Sequence, residues 1–486
     1  MRRFLIDAVD YLRGLASGFA RGWSRFFFLP ADPTPLGLIR VAVGLLGFWS
    51  LFVIGLDLHA YLGSQGWSDA TNAYEAMPPF GWSLWFFVPD PMLRAAWLAS
   101  LGVFALMTLG LFSRTTSVLA WVVIVSTVRR IPIALFGFDQ ILSTLALYLA
   151  ASGASGQAVS LDRFLKRYRE ARLNAAIVRP KGARVVSPDA PGRPGATVSA
   201  NLGLRLIQLH LAFIYGMAGL AKLQGPSWWT GMALWGTMTA GEFAWLDFTR
   251  LAAWPMVLNV LTHGSLALEI AYPILVWFGA TRPLMIAGAV LLHLGIALVS
   301  PGLAEFGLAM IAANLAFVSG RWLRGLATGR EDEQPAVRVL FDGACPRCRA
   351  SMALLTAADP DHVVEPIDLT AVDVKAVHPS LTPEACMRAM HVVERSGKVK
   401  AGYDAVVRVG SWLPLFRPLA IVGALPGVAN VGRIVYDRVA SSRPRDAACT
   451  DDVCGLHPPV SPAGPSSQGR DSSATEGRAR DLSPRR

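Results

Sequence analysis

Apolar residues in this chain come in blocks of about twenty as far as residue 320, and beyond residue 330 they alternate with polar ones. A membrane helix needs about 20 mainly apolar residues, because each adds 1.5 Å toward a hydrocarbon core of about 30 Å. The blocks predict spans at Leu36–Leu56, Met92–Phe112, Thr116–Phe136, Leu202–Leu223, Ala252–Gly279, Leu284–Val299 and Leu303–Val318. Gln140–Ala151 makes an eighth, short enough to be re-entrant. Eight spans are expected, within a range of seven to nine. Before them, Leu5, Val9, Leu12, Leu15, Phe19, Trp23 and Phe26 recur at helical spacing among arginines. Residues 1–29 lack the apolar core and cleavage site of a secretory signal. They read as an amphipathic helix on the inner leaflet or as a helix packed on the protein itself.

Past residue 330 the pattern changes. Val337–Phe341 alternates as a strand, and Arg349–Ala358 reads as a helix. Met390–Lys400 holds two strands around a Ser-Gly turn, Tyr403–Trp412 a helix, and Pro414–Arg438 further helices. Expected units are therefore residues 1–29, a membrane domain 30–325, a linker 326–336, a soluble domain 337–443 and a disordered tail 444–486. Within the membrane half, Pro180–Pro194 reads as a flexible loop rich in Pro, Gly and Arg.

Composition agrees. Of 486 residues, 53% are hydrophobic and 16% charged, with mean hydropathy +0.41, whereas soluble chains keep roughly a quarter of their residues charged. The net charge of +11 gathers at the edges of apolar blocks rather than in a basic stripe with aromatics, which argues against nucleic acid. The N-terminal arm, Arg163–Arg184 and Arg321–Arg330 are basic, while Asp57–Pro91 and Gln224–Arg250 are rich in Trp and acids. Eight spans place every one of these basic segments on one side, so both termini are expected in the cytoplasm and the chain in the inner (plasma) membrane. Arg129 and Arg130 then fall near the outer face, where they are expected to line a polar cavity.

Few polar residues interrupt the apolar blocks. Gly216, Ala218, Gly219 and Ala221 permit close helix packing. Lys222 ends a span just before Trp228 and Trp229. It is either a lysine snorkelling to the interface or a partly desolvated amine able to act as a general base. His210, His263, Glu269 and His293 lie in apolar surroundings and read first as helix–helix contacts.

The run Ile214-Tyr-Gly-Met-Ala-Gly-Leu-Ala-Lys222-Leu-Gln-Gly-Pro-Ser-Trp-Trp-Thr-Gly231 resembles the core motif of the horizontally transferred transmembrane (HTTM) domain family, which is related to vitamin K-dependent gamma-carboxylase. Pro33–Arg40, Ser160-Leu-Asp162 and Leu268-Glu269 add to the resemblance, which covers about residues 30–325. It implies that Lys222 is the base that deprotonates a reduced quinone-type or lipid-like substrate. Asp139 stands where the carboxylase has a histidine. The carboxylase's propeptide-binding and extended lumenal regions have no counterpart, so glutamate carboxylation is not implied.

All five cysteines lie beyond the membrane part. Strand, Asp342-Gly-Ala turn, Cys345-Pro-Arg-Cys348, helix is the order of thioredoxin-like redox proteins. The first thiol at a helix N-terminus is favoured as thiolate, and the second, one turn on, can resolve a mixed disulfide. Half a zinc site, completed by Cys449 and Cys454, and two structural cysteines are the alternatives. Cys386 reads as a buried small hydrophobe, and Cys449 with Cys454 as a loosely spaced second pair. Phe341–Cys348, Met390-His-Val-Val with Gly397, Gly402 with Ala405, Leu413-Pro and Leu425-Pro-Gly427 resemble the DCC-type thiol–disulfide oxidoreductase family. The resemblance implies thiol–disulfide exchange by Cys345 as nucleophile and Cys348 as resolver. Unlike thioredoxins, this chain has no proline directly before the strand at Met390.

The expectation is thus an α-helical polytopic membrane protein with a C-terminal α/β thioredoxin-like domain. It acts as a cytoplasmic disulfide reductase or redox sensor, with Cys345 and Cys348, and Lys222 as a membrane base, as its site residues. The alternative is a channel, transporter or scaffold with a redox-regulatory or metal-binding module. No metal is expected and no cofactor is assigned, apart from a quinone for the membrane domain. The partners expected are membrane lipid and a thiol or disulfide protein.

Overall fold

The computed structural model describes residues 2–442 except 68, 76, 78, 80, 177–194, 242–244, 329–334 and 371. The loop Pro180–Pro194, Cys449, Cys454 and the tail fall outside the described residues. The chain is mostly helical, with a small mixed sheet near its C-terminus.

Each expected apolar block is helical. The helices are α1 (Arg2–Phe28), α2 (Thr34–Ile54), α3 (Leu93–Leu109), α4 (Ser113–Arg130), α5 (Gly137–Ser152), α6 (Leu161–Ala176) and α7 (Val198–Lys222). After them come α8 (Pro255–Leu275), α9 (Arg282–Val299), α10 (Ala304–Asn314) and α11 (Gly320–Thr328). Leu36, Ile39, Phe104, Met107, Leu149, Ile207 and Tyr272 fill one continuous core among them.

Length and apolarity qualify fewer helices than the eight expected. Among the described residues four suffice on their own: Thr34–Leu62, Asp90–Leu109, Val198–Lys222 and Arg282–Val299. Counting bent pairs as single spans raises this to six. One such pair, Pro301–Phe317 with Gly320–Thr328, turns by 109°. The shortfall has physical causes. The 16 residues of α5 and the 11 of α10 reach only about 24 and 17 Å at 1.5 Å per residue, short of the hydrocarbon thickness. Helix α4 carries serines, threonines and arginines along its length.

The basic segments share one end of the bundle. Ala31 bridges Thr197, and the Phe26 carbonyl at the end of α1 accepts from Asn201 Nδ2 (2.8 Å) and Arg205 Nε (3.0 Å) at the start of α7. Arg324 on α11 binds Asp32 and donates to Thr34 Oγ1 (2.7 Å) just before α2. Arg129 and Arg130 lie at the other end and part company. Arg129 is exposed. Arg130 is buried and donates to the Gly63 carbonyl, so it holds down the Asp57–Pro91 loop where a polar cavity was expected.

In the C-terminal domain, β1 (Val337–Phe341) leads into α12 (Pro346–Ala358), and β2 (Val364–Asp368) returns parallel to β1. Next, β3 (His391–Glu394) pairs antiparallel with β1 and with β4 (Val399–Ala401), giving the order β2-β1-β3-β4. Gly397 supplies the positive φ of the hairpin turn, +81°. Three helices close the domain: α13 (Gly402–Trp412), α14 (Arg417–Gly423) and α15 (Pro426–Ser441). Strand β2, which the alternation of the sequence did not announce, carries Pro366 and sits at the sheet edge, where a missing N–H is tolerated.

Candidate functional site

The thiols sit where β1 hands over to α12. Cys345 is the N-cap residue with extended backbone, and its Sγ accepts a hydrogen bond from the Cys348 amide at 3.4 Å. Cys345 and Cys348 are not joined in a disulfide. Their burial differs: Cys345 is 0% exposed and Cys348 is half-buried.

Two carboxylates build the loop ahead of them. Asp342 accepts from the Ala344 amide (3.0 Å), and Asp368, at the end of β2, accepts from the Gly343 amide (3.1 Å) and the Thr370 amide and hydroxyl (2.9 Å each). A Cβ on Gly343 would lie 1.9 Å from Asp368 Oδ2, so any side chain there would have to displace this carboxylate from its hydrogen bonds. Arg349 donates to the Gly343 carbonyl (2.8 Å), and Arg347 to the carbonyl (3.0 Å) and hydroxyl (3.2 Å) of Ser442 beyond α15. The thiols therefore lie at the carboxyl ends of two adjacent parallel strands, the place where α/β sheets present ligands.

Residues 339–447 match the family model of DCC1-like thiol-disulfide oxidoreductase. The chain carries a DCC1-like domain at its C-terminus. No curated protein and no solved structure matches it.

Gly343 lies in the expected Asp342-Gly-Ala turn, whereas Asp368, its partner in the DCC1-like domain, was not singled out from the sequence. The signal was present in the Asp that ends Val364–Asp368, but it acquires meaning only beside β1. Cys386 is 1% exposed, and burial pushes its thiol up to about 11, in keeping with a packing role. Among the described residues, no group of three or more His, Cys, Asp or Glu is placed to hold a metal.

The DCC1-like domain is fastened to the basic end of the helical bundle. Arg167 on α6, 2% exposed, donates to the carbonyls of Thr356 (2.9 Å) and Asp359 (2.7 Å) at the end of α12. A cation at a helix C-terminus satisfies orphan carbonyls and complements the helix dipole. The Asp359 carboxylate accepts from the amides of Val363 (2.9 Å) and Val364 (2.7 Å), while burial raises its pKa. Arg324 reaches Asp361 at 3.1 Å, and Phe164 of α6 packs into the core of the domain. The helix that begins at Cys345 is thus gripped at its far end by the N-terminal helical bundle.

Lys222 lies elsewhere. Its amine hydrogen-bonds Glu269 Oε1 on α8 at 3.0 Å and approaches Oε2 to 2.8 Å, the shorter contact being Coulombic because it lies off the hydrogen-bonding direction. Glu269 is 9% exposed and Lys222 25%, and the amine sits 5.2 Å from the Trp228 ring centroid. Gly219 allows this crossing, since a Cβ there would meet Ile270 at 2.9 Å.

The structure therefore joins Lys222 to Glu269 and separates the other polar residues. His263 is exposed, near the Asn259 (3.1 Å) and Trp229 (3.4 Å) carbonyls. His210 bonds the Tyr148 hydroxyl at 2.7 Å. Asp139 accepts from the Phe136 amide at 3.0 Å and caps α5. His293 Nε2 lies 3.3 Å from the Tyr215 hydroxyl, which accepts from Asn314 Nδ2 (3.3 Å), and Tyr272 donates to Asn314 Oδ1 (2.6 Å). Sequence reasoning missed this buried cluster, because each member reads singly as a tolerated polar residue.

Proposed function

We propose that this is an integral membrane protein of the inner membrane, with a thioredoxin-like DCC1-like domain that carries out cytoplasmic thiol–disulfide exchange at Cys345 and Cys348. The carrying observation is the Cys345 Sγ held by the Cys348 amide at the start of α12. The βαβ unit followed by a ββα unit supports the thioredoxin-like reading.

In the forward sense one cysteine thiolate attacks a sulfur of the substrate disulfide. That S–S bond breaks, and one substrate sulfur leaves and takes up a proton. The second cysteine then attacks the mixed disulfide, forming Cys345–Cys348 and releasing the other substrate thiol. Two electrons pass to the substrate, and a dithiol reductant restores the pair. Cytosolic surroundings keep such thiols reduced.

Cys345 is the nucleophile in the first reading, being the residue at the helix cap. Its complete burial favours a second reading in which Cys348, the more open thiol, attacks first. Trapping separates them. In the first reading Cys348→Ser accumulates a mixed disulfide and Cys345→Ser does not. The second reading gives the reverse, and no adduct in either variant sinks the exchange function.

For the membrane half, the HTTM resemblance and the Lys222–Glu269 pair support a base acting on a lipid or quinone-type substrate, with Glu269 taking up the lysine's proton. Trp228 beside the amine offers a ring face for such a substrate. Lys222→Ala is expected to abolish turnover there, and undiminished turnover leaves Lys222 as an anchor. A channel or scaffold regulated by the thiol pair is the rival, and the fastening of α12 by Arg167 is the observation that favours it.

A further inference from the structure

The last two helices of the DCC1-like domain, α14 and α15, are built inside out for a water-soluble fold. Toward the domain they bury the small residues Ala420, Gly423 and Ala429. Two tyrosines fix them there: Tyr403 donates to the Gly423 carbonyl (3.0 Å), and the Tyr436 hydroxyl accepts from the Met390 amide (2.8 Å). Their large apolar side chains point the other way, with Leu419 69%, Ile421 63%, Val431 62% and Ile434 64% exposed. Soluble helices do the reverse, and an apolar face of this extent marks an interaction surface.

We propose that the outer face of α14–α15 is embedded in the lipid bilayer that holds the rest of the chain, so that the thiol pair works at the membrane surface. Three observations select lipid over other occupants. Together the pair is as long, as apolar and as sparingly charged as a membrane span, yet it bends by 98°, a shape suited to lying in the interface rather than crossing it. Its charges are Arg417, Arg433 and Arg438 against Asp437, a cationic balance that complements anionic headgroups. Arg167 and Arg324 fasten the domain to the end of the bundle where the basic segments gather, so a bilayer is always within reach. Because Arg347 binds Ser442 just past α15, seating this hairpin also seats the Cys345–Cys348 loop. Substrates then meet the thiols at the lipid surface, which favours membrane-attached proteins over freely diffusing ones.

The test uses the full chain in nanodiscs of phosphatidylethanolamine and phosphatidylglycerol, and does not depend on thiol chemistry. With the five cysteines replaced by serine, nitroxides are placed through Val431→Cys, Val435→Cys and, on the polar side, Arg433→Cys. Collision with oxygen is expected to exceed collision with a water-soluble nickel chelate several-fold at 431 and 435, with the ratio reversed at 433. Nickel collisions dominating at all three positions overturn the proposal. So does low access to both reagents together with dipolar coupling between copies, which would make the face a dimer contact. If the cysteine-free chain does not fold, the unaltered chain is labelled with a membrane-partitioning carbene precursor. Label on 419–439 is expected, and label confined to the membrane helices overturns the proposal.

Discussion

The two polar sites of this chain are built on opposite principles. At Cys345–Cys348 consecutive residues do most of the work: a strand ends, a turn follows, a helix starts, and both sulfurs arrive together. At Lys222–Glu269 the partners are 47 residues apart and meet only because α7 and α8 cross closely at Gly219. A local motif can be recognised from sequence, whereas a crossing cannot.

The largest expected effect tests their independence. Cys345→Ser or Cys348→Ser should lower disulfide reduction about a thousandfold or more, the scale seen when a nucleophile is lost, while Lys222→Ala leaves it unchanged. A parallel loss in Lys222→Ala, measured with the same disulfide, would break the comparison. Next comes the ion pair. Lys222→Met or Glu269→Leu leaves one charge in apolar surroundings and should cost about 3–5 kcal/mol, read by thermal unfolding in detergent. The double variant should recover part of that loss, and simple additivity would show that the two do not interact.

Smaller effects sharpen the contrast. Gly343→Ala drives a methyl into Asp368 and should cost about 1–3 kcal/mol, with exchange activity falling further than stability because the thiol loop moves. Arg167→Ala removes two charge-assisted hydrogen bonds and should cost about 1.5–3 kcal/mol. Faster amide exchange confined to α6 and the end of α12 is the expected signature. The smallest effect is Cys386 in the pH profile. Burial holds its folded pKa at about 11, above the ordinary thiol value of 9.0, so the folded state holds its proton longer than the unfolded one. Stability should be constant below pH 9 and fall as pH rises from 9 to 11, and Cys386→Ala should flatten that fall.

Much of the domain plan was legible along the chain. Val337–Phe341 is a strand with the expected bounds, Tyr403–Trp412 lies within Gly402–Trp412, and the Ser-Gly turn joins β3 to β4. The helix expected from Arg349 begins three residues earlier at Pro346, because proline is well placed in a first helical turn. The eight apolar blocks are helices, but their lengths, read from hydropathy, ran past true ends set by loops such as Gly110 at φ +69°. Helices α14 and α15 were expected, yet their outward apolar faces were not, since periodicity gives a stripe without saying which way it points.

Sequence by itself determined which stretches are strongly apolar, where those blocks give way to strand-like alternation, and that two sulfurs share a helix start. These are properties of neighbouring residues, decided by local hydrophobicity, period and turn chemistry. Tertiary structure alone decided that Lys222 faces Glu269, that Asp368 shapes the thiol loop, that Cys345 is closed from solvent, and that Arg167 holds the far end of α12 across 189 residues of sequence. Each of these depends on how separate elements pack, and packing joins residues whose spacing along the chain carries no sign of the contact.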